Sequence, residues 1–150
     1  MELPRDVRER FREHGREGGR ARAARMSSAD KVAIARRAAV CRWTRERFGA
    51  SSFAALGLPG GEIVDAGLAD LAADKETPES LLVSLAAPRL RREGVPLARV
   101  NDKPEKRLYG MLSESEGDLA HARYNAYLRQ IVSFADACAL ARIDRNRCAT

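Results

Sequence analysis

The sequence predicts an all-α protein in which a flexible basic N-terminal arm and one helix precede a compact multi-helix bundle with a long C-terminal helix. Three observations lead to this class. Charged residues make up 32% of the chain and aromatic residues only 5%, as in soluble helical proteins with aliphatic cores. Apolar residues recur at three- and four-residue spacing along most of the chain. Gly and Pro stand where helices would end, and no segment has the alternation of a strand.

The charge of the chain is unevenly divided. Residues 1–47 hold 14 Lys and Arg and 7 Asp and Glu, whereas residues 48–150 hold 13 and 14, so the whole positive excess lies in the first third. Such asymmetry is typical of a protein in which a basic arm that binds a polyanion is joined to a near-neutral folded part. We therefore divide the chain into a basic arm and helix, residues 1–49, and a helical bundle, residues 50–150.

The first 26 residues predict a short helix followed by a flexible stretch. Pro4 suits the first turn of a helix, and Gly15 suits its end. Residues 15–26 are rich in Gly and Arg and have no apolar stripe to bury, so we expect them to be flexible when nothing is bound.

A second helix is predicted from about Ser28 to Phe48. Ser27 and Asp30 have the spacing of a capping box, and Gly49 is a natural stop. The apolar residues of this helix form two narrow stripes with basic residues between them, one of Val32, Ala39 and Trp43 and the other of Ile34, Cys41 and Phe48. The pattern favours a helix that is contacted on two faces.

The rest of the chain predicts the bundle. A short apolar turn over 51–61 precedes a helix with Ile63, Val64, Gly67, Leu68 and Leu71 on one face. Thr77 caps the next helix, Pro88 breaks it, and Asp102 caps a further one. The last helix starts near Asp118 and runs for about 24 residues. Its packing seam consists of Ala120, Tyr124, Tyr127, Ile131, Phe134, Cys138 and Ala141.

No catalytic centre is recognisable, and we expect a protein that is not an enzyme and uses no cofactor or metal. Histidine occurs only at His14 and His121, and the GxSxG, HExxH and Walker lysine motifs are missing. His121 has Tyr124 and Asn125 one turn later, but polar groups at a helix entrance are more often caps or surface residues.

Cysteine spacing and hydropathy point to a cytoplasmic protein. The three cysteines are too widely spaced for a metal pair, and we expect Cys41 and Cys138 to be buried and Cys148 to lie in the tail. A membrane span needs an apolar run of about 18 residues, which the chain lacks, and its charged N-terminus is unlike a secretory signal.

The basic segment predicts binding of nucleic acid, because phosphate contacts need charge density and reach rather than one exact geometry. The candidate residues are Arg16, Arg20, Arg22, Arg25, Lys31, Arg36, Arg37 and Arg42. Solubilisation of an Ala-rich helix is the simpler explanation, but the excess of +7 in residues 1–47 already includes every carboxylate there. We expect DNA rather than RNA.

A protein partner or self-association is predicted for the apolar residues that the helices present. The candidates are Trp43, Tyr124, Tyr127, Ile131 and Phe134. The seam on the last helix suits either packing inside the bundle or contact with a second copy, and the sequence leaves both open.

The pattern GREGGRARAARMSS followed by IARRAAVCRW, within residues 15–43, resembles a motif of many short bacterial proteins. Its parts are Gly-Gly flanked by basic residues, a Ser cap, and a helix that ends in Arg-Trp. The resemblance implies DNA binding. The segments ESLLVSLAAPRLRREGVP and LAHARYNAYLRQIVSF are similar to proteins of two-gene toxin and antitoxin modules.

Two hypotheses of function follow. In the first, the protein is a non-enzymatic DNA-binding regulator or antitoxin-like protein, whose arm contacts phosphates and whose bundle contacts a partner. In the second, it is a protein–protein interaction module whose basic arm folds onto an acidic partner.

Overall fold

The computed structural model describes residues 4–97 and 99–148, with side chains described as far as residue 141. This part of the chain contains helices and no strand, which confirms the all-α fold with several helices and a long C-terminal one. The helices are α1 (Arg5–Arg25), α2 (Ser28–Phe48), α3 (Gly61–Ala72), α4 (Pro78–Leu85), α5 (Ala87–Arg92), α6 (Pro104–Glu116) and α7 (Ala120–Cys148), with a 3-10 turn (Gly117–Leu119) before α7.

Helix α4 is the centre of the bundle. Five consecutive residues from Ser80 to Ser84 are buried, and a helix buried all round must be enclosed by other elements. Helices α3, α6 and α7 enclose it. Thr77 and Ser80 form a capping box at its start, and the helix ends before Pro88, as predicted.

The two buried serines of α4 are fully hydrogen-bonded, which removes the cost of burying hydroxyl groups. Ser84 Oγ donates to the Ser80 carbonyl at 2.8 Å and accepts from the Asn101 amide at 3.0 Å. Asn101 Nδ2 donates to Ser80 Oγ at 3.3 Å. These bonds tie the loop before α6 to the centre of the fold.

An aromatic cluster attaches the C-terminal end of α2 to the bundle. The Trp43, Phe48 and Phe53 rings meet edge to face, with centroids 5.6 to 6.3 Å apart, and Phe53 meets Phe134 of α7 at 4.9 Å. The Asp65 carboxylate of α3 holds the turn that carries Phe53, because it accepts from the amides of Phe53 and Ala54 at 3.1 and 2.8 Å.

The seam of α7 packs inside the chain. Ala120, Ile131, Phe134 and Cys138 are buried, and the other seam residues are half-buried. Leu119 and Val132, at the edges of the seam, are 66% and 44% exposed. Of the two possibilities that the sequence left open, this structure shows packing within the bundle.

The main difference from the sequence prediction lies in α1, which does not end at Gly15 but continues to Arg25. Residues 15–25, which we expected to be flexible when nothing is bound, are helical. Ala and Arg are strong helix formers, and they offset the cost of about 1 kcal/mol that each glycine brings to a helix. The space around Gly15, Gly18 and Gly19 is empty, so no packing explains the helix.

Three smaller predictions are also wrong. Lys103, not Asp102, is the N-cap of α6, and its left-handed backbone (φ 45°) sets the entry of the chain. Cys41 is exposed, whereas Cys138 is buried as predicted; the Cys148 side chain lies outside the described residues. Helix α2 is covered on one face only, by α3 and by Phe53, which leaves Val32 and Ile34 46% and 49% exposed.

Candidate functional site

Helix α1 carries a row of arginines that we call the Arg ridge. It consists of Arg8, Arg12, Arg16 and Arg20, which follow one another at four-residue steps and form a row that winds about one third of the way around the helix. No residue of α1 is buried, so the whole row faces solvent. At 1.5 Å per residue the ridge is about 18 Å long.

The ridge arginines have no carboxylate partner within the described part of the chain, although acidic residues lie nearby. Glu9, Glu13 and Glu17 form a parallel row on α1. Glu9 pairs with Arg5 at 3.4 Å, and Glu17 lies 3.7 Å from His14, both at exposed positions. The ridge is thus a continuous line of guanidinium groups that are free to bind anions.

The eight residues predicted to bind nucleic acid are spread over several surfaces. Arg16 and Arg20 belong to the ridge, whereas Arg25, half a turn away from Arg16 in angle, is exposed on the opposite side of α1. Lys31 and Arg42 are exposed on the side of α2 opposite the buried Thr44.

The other three predicted residues lie beside α3. Arg22 and Arg37 line a shallow cleft together with Asp70 and Lys75. Arg36 lines an apolar pocket of about 250 Å³ against Leu68, Leu71 and Leu97. The eight residues therefore do not form one face.

Sequence reasoning missed Arg8 and Arg12, which complete the ridge. The signal that would have found them is the four-residue step from Arg8 to Arg20. The end predicted at Gly15 concealed it, because a helix that stops there cannot align Arg12 with Arg16.

The five residues predicted to contact a partner lie mainly within the chain. Ile131 and Phe134 are 5% and 0% exposed and belong to the core, so Phe134 presents no surface to a partner and Ile131 presents very little. Trp43 is half-buried in the aromatic cluster. Tyr124 and Tyr127 are half-buried, and the Arg123 guanidinium lies 5.5 Å from the centre of the Tyr127 ring.

A second concave surface lies at the junction of α4, α6 and α7, and we call it the tyrosine cleft. It has a volume of about 760 Å³ and is lined by Leu85, Lys103, Pro104, Glu105, Lys106, Tyr109, His121 and Tyr124. The Tyr109 and Tyr124 rings meet edge to face at 5.7 Å. Burial raises the pKa of Tyr124, and the adjacent Glu105 carboxylate raises it further, so this phenol stays protonated at neutral pH.

His121 lies at the edge of this cleft beside Asn125. The Asn125 Nδ2 atom lies 3.0 Å from His121 Nε2, so the two side chains are within hydrogen-bond distance. No serine, cysteine or carboxylate of the described residues is hydrogen-bonded to His121 in the way a nucleophile or an orienting acid would be.

Cys138 has the properties of a core residue. It is 1% exposed, and burial, with a smaller effect from the Glu93 charge, raises its pKa to about 12. A thiol with such a pKa is almost entirely protonated at neutral pH and is a poor nucleophile.

Over the described ranges, no three His, Cys, Asp or Glu side chains converge as a metal site requires. Nor does any helix there combine the length and the apolar character needed to cross a membrane. In comparisons with known proteins, no family, no curated protein and no solved structure matched this chain.

Proposed function

We propose that this protein is a non-enzymatic regulator that binds duplex DNA through its phosphates, with the Arg ridge of α1 as the main contact. The observation that carries the proposal is the alignment of four unpaired arginines on a helix without a buried residue. Nothing in the packing of the described chain requires α1 to be positively charged on that side.

The dimensions and charge of the ridge fit a duplex. Its length of about 18 Å corresponds to roughly five base pairs at 3.4 Å per pair. Guanidinium groups form charge-assisted, bidentate hydrogen bonds with phosphate oxygens. Lys31 and Arg42 on the outward side of α2 extend the positive surface beyond α1. Such contacts fix position and affinity, not base sequence.

The bundle supplies the second part of the proposed function, contact with a protein partner or a second copy, as in an antitoxin-like regulator. A groove between the end of α4, the start of α5 and α7 supports it. The groove is lined by Leu85, Ala86, Pro88, Arg89, Leu128, Ile131 and Val132. An exposed apolar groove of this kind is a common site of protein contact.

Fluorescence anisotropy of a labelled DNA duplex over a salt series tests the DNA contact with full-length protein. The slope of log K against log salt is negative, and each lost phosphate contact reduces its magnitude by about 0.9, so R12Q/R16Q/R20Q should reduce the magnitude by about 2 to 3. The matched control, R91Q/R92Q/R129Q, removes three exposed charges outside α1 and α2 and should keep the wild-type slope. Equal slopes for the two triple variants, or no binding by the wild type near physiological salt, would overturn the proposal.

A second candidate function is binding of an acidic partner protein by α1. Phe11 favours it, because this large apolar side chain is 67% exposed about one third of the way around the helix from the middle of the ridge. A partner that covers this side of α1 should lose affinity when Phe11 is replaced by Ala. Binding to DNA through the ridge should be insensitive to the same substitution.

A further inference from the structure

The tyrosine cleft is separate from the Arg ridge and is made of other helices. It is bounded by the end of α4 at Leu85, the first turns of α6 and the start of α7. Its volume of about 760 Å³ lies within the range of small-molecule sites, about 300 to 1,000 Å³. Its walls combine apolar surface with a few polar groups, as such sites do.

One wall of the cleft is aromatic. Tyr109 is 42% exposed, although its ring meets Tyr124 edge to face. This arrangement fixes the Tyr109 ring and leaves part of it open to a ligand. Flat heterocycles stack well on such rings. Every nucleobase can stack in this way, because each has a π face.

The lining of the cleft is also cationic. Lys103 and Lys106 line it, are exposed, and form no ion pair within the described chain. Glu105 is the one carboxylate among the lining residues, so the local balance of formal charge is +1. Unpaired lysines favour an anion, and phosphate is a common partner for them. Glu105 and His121 add two further polar side chains to the lining.

We infer that the tyrosine cleft binds a nucleoside monophosphate, with the base stacked on Tyr109 and the phosphate held by Lys103 and Lys106. The inference rests on the joint presence of an open aromatic ring and two unpaired ammonium groups in one cleft of suitable size. Neither the aromatic ring nor the lysine pair alone selects a nucleotide, because an aromatic ring also binds uncharged heterocycles and lysines also bind free phosphate.

Calorimetric titration of the full-length protein with AMP, adenosine and inorganic phosphate separates these contributions. AMP should bind at least about tenfold more tightly than either adenosine or phosphate, because only AMP uses both parts of the cleft. K103Q/K106Q should weaken AMP about tenfold and leave adenosine unchanged, since only AMP carries the charge that the lysines hold. Tyr109→Leu should weaken both AMP and adenosine.

Two controls keep this site distinct from the DNA contact. R91Q/R92Q removes the same charge as K103Q/K106Q from exposed positions that do not line the cleft, and it should bind AMP like the wild type. R12Q/R16Q/R20Q should also keep AMP binding, even where it reduces DNA binding. The inference is overturned if AMP shows no binding at about 1 mM, or if K103Q/K106Q binds it as the wild type does.

Discussion

At the scale of single residues, Gly67 sets how closely α3 approaches α4. A Cβ atom at this position would collide with the Glu79 carbonyl group and would lie 2.6 Å from Val83 Cγ2. The backbone carbonyl cannot move without shifting α4, and α4 is enclosed on all sides. Gly110 of α6 is the natural comparison, because nothing lies within 4 Å of a Cβ atom there.

We expect Gly67→Ala to lower the free energy of unfolding by about 1 to 3 kcal/mol, the usual cost of overpacking a core. Gly110→Ala should instead raise it by about 0.5 to 1 kcal/mol, because Ala loses less backbone entropy in a helix than Gly. Urea unfolding followed by the fluorescence of Trp43, the one Trp in the chain, measures both. A stability of Gly67→Ala equal to that of Gly110→Ala would contradict the close packing of α3 on α4.

At the scale of helices, the sequence predicted those ends that depend on local chemistry. The Ser27 hydroxyl accepts from the Asp30 amide at 3.1 Å, and Gly49 adopts φ 84°, so both ends of α2 follow from residues adjacent in sequence. The start of α6 did not follow, because Asp102 has the chemistry of a cap but the chain turns at Lys103. The prediction for α1 failed because glycine was treated as a stop, whereas Gly15 has a helical backbone.

Helix α1 is the element whose stability is easiest to change. Gly18 and Gly19 have open space around them, so Ala fits at both positions, and each replacement favours the helix by about 1 kcal/mol. We expect G18A/G19A to increase the helical signal in far-UV circular dichroism. It should also tighten DNA binding severalfold, because the helix is then more fully formed before binding and less conformational entropy is lost when DNA binds.

Gly18→Pro provides the opposite change, since proline inside a helix costs about 3 kcal/mol. It should reduce the helical signal and weaken DNA binding through the ridge. If G18A/G19A increases helicity while both α1 variants bind DNA like the wild type, the ridge does not act as a helix in the complex.

At the scale of the whole molecule, the parts of the candidate sites that sequence could predict are those that lie close together along the chain. The basic character of the N-terminal third is such a property, and so is the position of His121 near Tyr124. The tyrosine cleft is different, because Leu85 of α4, the N-cap residue Lys103 of α6 and His121 of α7 meet only in the folded chain. The assignment of Phe134 to a partner surface failed for the same reason, since periodicity identifies an apolar face but not what covers it.

The distribution of buried contacts predicts a steep difference in local stability across the molecule. Helix α4 is buried on every side, whereas α1 has no buried residue and contains three glycines. Isolated helices are marginal in water, because most helical stability in proteins comes from packing. Amides of α1 should therefore open at little cost, and those of α4 only on global unfolding.

Hydrogen exchange followed by mass spectrometry measures this difference directly. In the free protein, peptides from 5–25 should exchange fully long before peptides from 78–85. Addition of duplex DNA should slow exchange in 5–25 and leave 78–85 unchanged, because phosphate contacts stabilise the helical form of α1. A different result is that, without DNA, exchange in 5–25 becomes slower as the protein concentration rises. This would mean that a second copy of the chain already covers α1. In that case α1 is an interface between copies of the chain rather than a free surface for DNA.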